Sequence, residues 1–175
     1  MTAAQLFQYL LLFLLIGFTA LNFYALTVGR KKKKQAHANY KQTLRLLEQR
    51  AYEKMQEHNV HFDEKQGYMN DLSEGILLTF DTKKKMVGIT LKDAFYLFAY
   101  ADFVSCKQTY ETVDKNKLAN ISVEIETKDS IITLVFGSKS WKATSYLGKF
   151  LLSDTKEFCS LLESRCLGKE LSQLT

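Results

Sequence analysis

Residues 121–126 read ISVEIE and carry the clearest strand pattern in the chain. The apolar residues Ile121, Val123 and Ile125 alternate with polar ones along this stretch. Neighbouring side chains of a β-strand point to opposite faces, so the pattern predicts a strand with one buried face and one face in water. Such a strand is typical of an antiparallel sheet.

Segments of similar character lie on both sides of this strand. A polar stretch at residues 81–85 separates two of them, which predicts a hairpin. Val104, Cys106 and Tyr110 stand an even number of positions apart and are predicted to share one face of a strand. The further predicted strands cover residues 76–80, 86–91, 95–100, 103–113 and 131–136.

A helix is predicted near the C-terminus, after residues 138–152, which show no clear pattern. Asp154 is a suitable N-cap residue, and Gly168 is a suitable residue to end the helix. One face of the intervening segment, residues 155–167, is apolar. This face consists of Phe158, Leu161, Leu162 and Cys166.

The order of six or seven antiparallel strands followed by one helix resembles that of pleckstrin-homology-like (PH-like) domains. Residues 95–105, FYLFAYADFVS, are similar to the segment of these domains where a strand meets an aromatic-Asp-apolar corner. Residues 155–167 resemble their closing helix, and bacterial membrane proteins often carry such domains. The resemblance implies an α+β fold for residues 76–168, an antiparallel sheet or barrel closed by a C-terminal helix. It implies binding and scaffolding, because the class has no shared activity.

The N-terminal segment from Leu6 to Val28 reads LFQYLLLFLLIGFTALNFYALTV and contains no charged side chain. About 20 apolar residues suffice to cross a hydrocarbon core of roughly 30 Å. The pattern therefore predicts a single transmembrane anchor over residues 1–29. A cleaved signal peptide fits less well, because its basic residues would precede the apolar stretch, whereas here they follow it.

A basic block follows the predicted anchor and consists of Arg30, Lys31, Lys32, Lys33 and Lys34. Positive residues beside a membrane segment favour the cytoplasmic side. The block therefore predicts a single-pass protein of the cell (inner) membrane, with its N-terminus outside and its C-terminal domain in the cytoplasm. The same block accounts for most of the net charge of +5, which removes the main reason to expect nucleic-acid binding.

A helical stalk is predicted within residues 30–59, after the basic block, because residues 35–59 contain no glycine or proline. An apolar stripe runs along it at spacings of four and three. The stripe consists of Tyr40, Leu44, Leu47, Ala51 and Met55. Two interpretations stay open: a seam to a second copy or another protein, and packing against the protein's own domain. Residues 60–75 are predicted to be a linker, and residues 169–175 a tail.

The sequence offers few candidates for chemistry. Lys83, Lys84 and Lys85 stand at a predicted hairpin tip, where they either contact anionic lipid or form a solvated turn. His58 and His61 have a spacing that can bind metal on a helix, but no further ligand joins them, so no metal site is predicted. The three cysteines form no C-x-x-C pair, and those in the predicted helix are interpreted as small buried residues.

The sequence favours a binding protein over an enzyme. It contains neither a glycine-rich phosphate loop nor a G-x-S-x-G motif, so no catalytic residue, cofactor or small-molecule substrate is predicted. The function we expect is a membrane-anchored adaptor or structural subunit, whose PH-like domain binds a protein partner or a second copy in a membrane assembly. The alternative is an anionic-lipid sensor that uses the basic hairpin tip.

Overall fold

The protein is of the α+β class, and its described part contains two α-helices and eight strands in two antiparallel sheets. The α+β class is as predicted, but the prediction of one sheet or barrel with six or seven strands is wrong, because the described strands number eight and form two sheets. The chain divides into two compact units, residues 1–41 and 42–175, and helix α1, Ala3–Glu57, contributes to both. The computed structural model describes the backbone of residues 3–168 and, within that range, all side chains except those of residues 3, 4, 6, 23, 25–34, 36 and 37.

The prediction of a membrane anchor in the first unit is wrong. Among the residues that the structure describes, no helix is both long enough and apolar enough to cross a bilayer. The predicted single transmembrane helix, the single-pass orientation and the inner-membrane location are therefore not supported.

The second unit begins with a four-stranded antiparallel sheet, here called sheet A. Its strands follow one another in chain order, each paired with the next. They are β1 Glu64–Met69, β2 Gly75–Asp81, β3 Met86–Thr90 and β4 Phe95–Ala99. Strand β1 lies inside the segment predicted to be a linker. Its glycine and its polar residues hide the alternation, and Tyr68 is its only buried residue.

A short 3-10 turn, Tyr100–Asp102, leads into a second antiparallel sheet, here called sheet B. A register shift after Phe103 leaves Val104 exposed and Cys106 buried, so these two residues do not share a face as predicted. Sheet B contains β5 Phe103–Asp114, β6 Lys117–Thr127, β7 Ile131–Gly137 and the short β8 Trp141–Lys142, which pairs with β6.

Helix α2, Tyr146–Leu167, packs on the sheets and completes the core. It begins earlier than predicted, because Ser145 is the N-cap residue and its hydroxyl accepts a hydrogen bond from the Gly148 amide at 3.1 Å. Asp154 therefore lies within the helix instead of capping it. Gly168 ends the helix in the left-handed conformation, with φ of 65°, as its residue type favours.

The C-terminal part of α1 belongs to the second unit and packs on the outer face of sheet A. Leu47 and Ala51 form a small apolar cluster with Leu77 of β2, while the opposite face of β2 contributes to the main core. All residues of β2 are buried for this reason. The helix approaches closely because β1 has no side chain at Gly67, where a Cβ atom would lie 2.6 Å from Leu44 Cδ1.

The predicted apolar stripe is thus largely engaged within the protein's own domain. Leu47, Ala51 and Met55 are buried, and Met55 Sδ accepts a hydrogen bond from the Thr79 hydroxyl at 3.3 Å. Tyr40 lies in the first unit and is exposed. The stripe from Leu44 to Met55 therefore presents little free surface to another chain.

Replacing Leu47 with alanine is expected to lower the free energy of unfolding by about 2–3 kcal/mol, because it opens a cavity beneath α1. Leu46→Ala is the matched control, since Leu46 is its neighbour and is exposed, and it should change stability by less than about 0.5 kcal/mol. Urea unfolding of both variants checks the difference. Equal losses would show that α1 does not dock through Leu47.

Candidate functional site

Strand β7 is an edge strand with an unusual surface. Its sequence, IITLVFG, contains no charged residue, and it is the last strand in the order β5-β6-β7. Among the described strands, none pairs with its outer edge. Ile132, Leu134 and Phe136 are buried, whereas Ile131 is 69% exposed and Val135 is 45% exposed. The strand therefore combines an open edge with apolar side chains in water.

An open groove of about 290 Å³ runs beside this edge. Three consecutive β7 residues, Thr133, Leu134 and Val135, line it. Because successive side chains of a strand point to opposite faces, a surface that all three share must include the edge of the strand. The other wall is formed by the start of β2 and by the turn between β3 and β4, residues 91–94. The groove thus borders the edge at which another strand would pair.

The C-terminal end of β7 is fastened to the loop between β1 and β2 by Asp71. The Asp71 amide donates to the Phe136 carbonyl at 2.8 Å. One carboxylate oxygen of Asp71 accepts from the Ser138 amide at 3.0 Å, the Lys139 amide at 3.0 Å and Trp141 Nε1 at 3.2 Å. These contacts hold one end of the groove in place.

The electrostatics of Asp71 follow from these contacts. Burial raises the pKa of the Asp71 carboxyl, but the hydrogen bonds from Ser138, Lys139 and Trp141 lower it by more. The net pKa lies below the usual value of 3.8. Asp71 is therefore ionised near neutral pH, and its charge is used to join the two sheets.

The three lysines predicted as a lipid contact lie at the exposed tip of the β2–β3 hairpin. Asp81 shapes this turn, since its carboxylate accepts from the Lys83 amide at 3.1 Å and the Lys84 amide at 2.8 Å. The Lys84 ammonium donates to the Asn59 carbonyl, and the Lys85 ammonium lies 5.6 Å from the centre of the Tyr100 ring. Two of the three ammonium groups thus have partners within the protein.

The other residues singled out in the sequence do not form a binding site with these three lysines. The side chains of Arg30 to Lys34, predicted to set the orientation, lie outside the described residues. His58 and His61 are both exposed. In the part of the chain that the structure describes, no three His, Cys, Asp or Glu side chains are grouped so that they could hold a metal ion.

Comparisons with known proteins add no relative. No family model, curated protein or solved structure matches the chain.

The β7 edge was not found by reasoning from the sequence. The alternation predicts the strand at residues 131–136, but it does not say which strands lie beside it. The available signal was negative: β7 has no charged residue, and charged residues are a common protection of edge strands.

Proposed function

We propose that the second unit is a protein-interaction module, an adaptor and not an enzyme, that binds an extended segment of a partner protein along the free edge of β7. The observation that carries the proposal is the exposed, uncharged edge of this strand. Such an edge offers unpaired backbone groups to an incoming strand, and natural proteins usually block it with charge, proline or a covering element.

The chemistry of the edge defines the partner. Strand addition draws its affinity from main-chain hydrogen bonds and its specificity from alternate side chains. Ile131 and Val135 project on either side of Thr133 from the same face of β7, so the partner segment should carry apolar residues spaced four apart, with a small or polar residue between them. A proline within that segment would remove a main-chain donor.

Two further features support a binding role. Four-stranded antiparallel sheets followed by a packed C-terminal helix agree with the proposed PH-like relationship, whose members mostly bind and scaffold. The carboxylates of Asp71 and Asp81 are occupied by hydrogen bonds from the backbone, as expected of structural groups.

A peptide-selection experiment tests the proposal. A random-peptide display library selected on the immobilised full chain should enrich extended peptides with the apolar spacing described above. For one such peptide, labelled with a fluorophore, Val135→Lys should weaken binding by about tenfold or more, because a lysine on β7 opposes apolar contact with an added strand.

Thr112→Lys is the matched control, since it places the same charge at an exposed position of β5. It should leave the affinity within about twofold of that of the unchanged chain. The tenfold loss expected for Val135→Lys corresponds to about 1.4 kcal/mol in binding free energy. Thermal unfolding confirms that both variants are folded. An equal loss in both variants, a loss in neither, or failure to enrich peptides of this pattern would contradict the proposal.

A further inference from the structure

Two cysteine side chains meet between β5 and α2, away from the β7 edge. Cys106 of β5 is buried in the core, and Cys159 of α2 is half-buried against it. The Cys106 thiol donates a hydrogen bond to Cys159 Sγ, and the two sulfur atoms lie 2.8 Å apart. The third cysteine of the chain, Cys166, stands further along α2 and is half-buried.

The sulfur atoms are nearly at bonding distance. A disulfide has an S–S length of about 2.05 Å, so each sulfur has to move by less than about 0.5 Å to form one. A side-chain rotation supplies movement of that size. The same pair of elements is held together beside the cysteines, because the Gln108 amide of β5 donates to the Leu152 carbonyl of α2 at 2.8 Å.

We propose that Cys106 and Cys159 form a reversible disulfide when the protein meets a peroxide, and that this bond fastens α2 to β5. Cys159 attacks one oxygen of hydrogen peroxide, the O–O bond breaks, and a Cys159 sulfenic acid and one water are formed. The Cys106 sulfur then attacks the Cys159 sulfur, and the hydroxyl leaves with the Cys106 proton as a second water. Both thiols are oxidised, the peroxide is reduced, and a dithiol such as dithiothreitol reverses the reaction by exchange.

The positions of the two thiols assign their roles. Cys159 is the partly exposed member, so a peroxide reaches it first. The hydrogen bond that Cys106 donates to Cys159, together with burial, raises the pKa of the Cys106 thiol. Cys106 is therefore protected from direct oxidation. Its sulfur lies 2.8 Å from that of Cys159, which places it within reach of the sulfenic acid on its neighbour. This inference is independent of the proposed function at β7.

Peptide mapping of the full chain tests the proposal directly. After treatment with hydrogen peroxide and alkylation of the remaining thiols, mass spectrometry should find the peptides that contain Cys106 and Cys159 joined, with Cys166 alkylated. Dithiothreitol should separate them. The oxidised chain should unfold several degrees higher than the reduced chain, since the bond links residues 53 positions apart.

Cys159→Ser is the control variant, and it keeps the buried cysteine in place. In this variant peroxide should neither raise the unfolding temperature nor consume Cys106. Three outcomes would overturn the proposal: both cysteines stay open to alkylation after peroxide treatment, Cys159 proceeds to sulfinic acid while Cys106 stays free, or the links form between different chains.

Discussion

Replacing Phe158 with alanine is expected to lower the free energy of unfolding by about 3–5 kcal/mol, the usual cost of deleting a fully buried phenylalanine. Phe158 of α2 has no exposed surface. Its ring centre lies 5.3 Å from that of Tyr68 in β1 and 5.8 Å from that of Phe136 in β7. The three rings join sheet A, sheet B and the helix, so the loss affects contacts among all three layers.

Tyr146→Ala is the control for this prediction. Tyr146 is an aromatic residue of the same helix, but it is 87% exposed, so its removal should change stability by less than about 0.5 kcal/mol. Urea unfolding followed by far-ultraviolet circular dichroism measures both variants. A loss for Phe158→Ala no larger than that of the control would mean that α2 does not close the core.

Replacing Asp71 with asparagine is expected to lower the free energy of unfolding by about 2–3 kcal/mol near neutral pH. In the unchanged protein, the Asp71 carboxylate accepts hydrogen bonds from two backbone amides and the Trp141 indole. An asparagine can place its one acceptor oxygen where these three donors meet, but it loses the negative charge that strengthens the hydrogen bonds. Asp129→Asn, at an exposed turn position, is the matched control and should be nearly neutral.

The effect of Asp71→Asn should depend on pH. Because the folded-state pKa of Asp71 lies below its unfolded value, its ionised form stabilises the protein above the unfolded pKa of about 3.9. This contribution is lost as the pH falls through the lower, folded-state pKa. The difference in free energy of unfolding between the unchanged protein and Asp71→Asn should therefore be constant above about pH 5 and become smaller in stronger acid. If this difference in free energy of unfolding did not change with pH, the charge of the Asp71 carboxylate could not be its cause.

The alternation in residues 121–126 predicted the buried face of β6 correctly, although Ser122, expected on the solvent-exposed face, is also buried. Ile121, Val123 and Ile125 are all buried, as their alternation predicts, because β6 lies in the middle of its sheet and has one face on the core. Strand β1 escaped notice since it buries only Tyr68 and places Gly67 against α1. That glycine is explained by its contact with Leu44 of α1, more than 20 positions away in the sequence, which no local window includes.

For helix α1, the sequence showed the apolar stripe but not the surface that the stripe contacts. The apolar stripe on α1 is real, but its pattern alone left open whether it meets another chain or its own sheet. The answer depends on Gly67 and Gly75, whose missing side chains admit Leu44 and Leu47. The predicted anchor rested on an uncharged apolar stretch followed by a basic block, but among the described residues no helix is both long enough and apolar enough to cross a bilayer.

The candidate site depends on contacts between distant residues. The apolar residues of β7 are visible in the sequence, but its free edge becomes known only when the order of the strands is known. The proximity of Cys106 and Cys159 likewise cannot be predicted from the sequence alone, because it depends on the packing of α2 against β5.

The central claim is that the edge of β7 accepts an added strand. Amide hydrogen exchange of the full chain, with and without a saturating peptide selected as described above, tests it most directly. The account predicts slower exchange in Ile131–Gly137 and little change at the edge of β5 or at the Lys83 to Lys85 turn, because new main-chain hydrogen bonds form only along β7. Protection of β5 or of the lysine turn, with β7 unchanged, would contradict it.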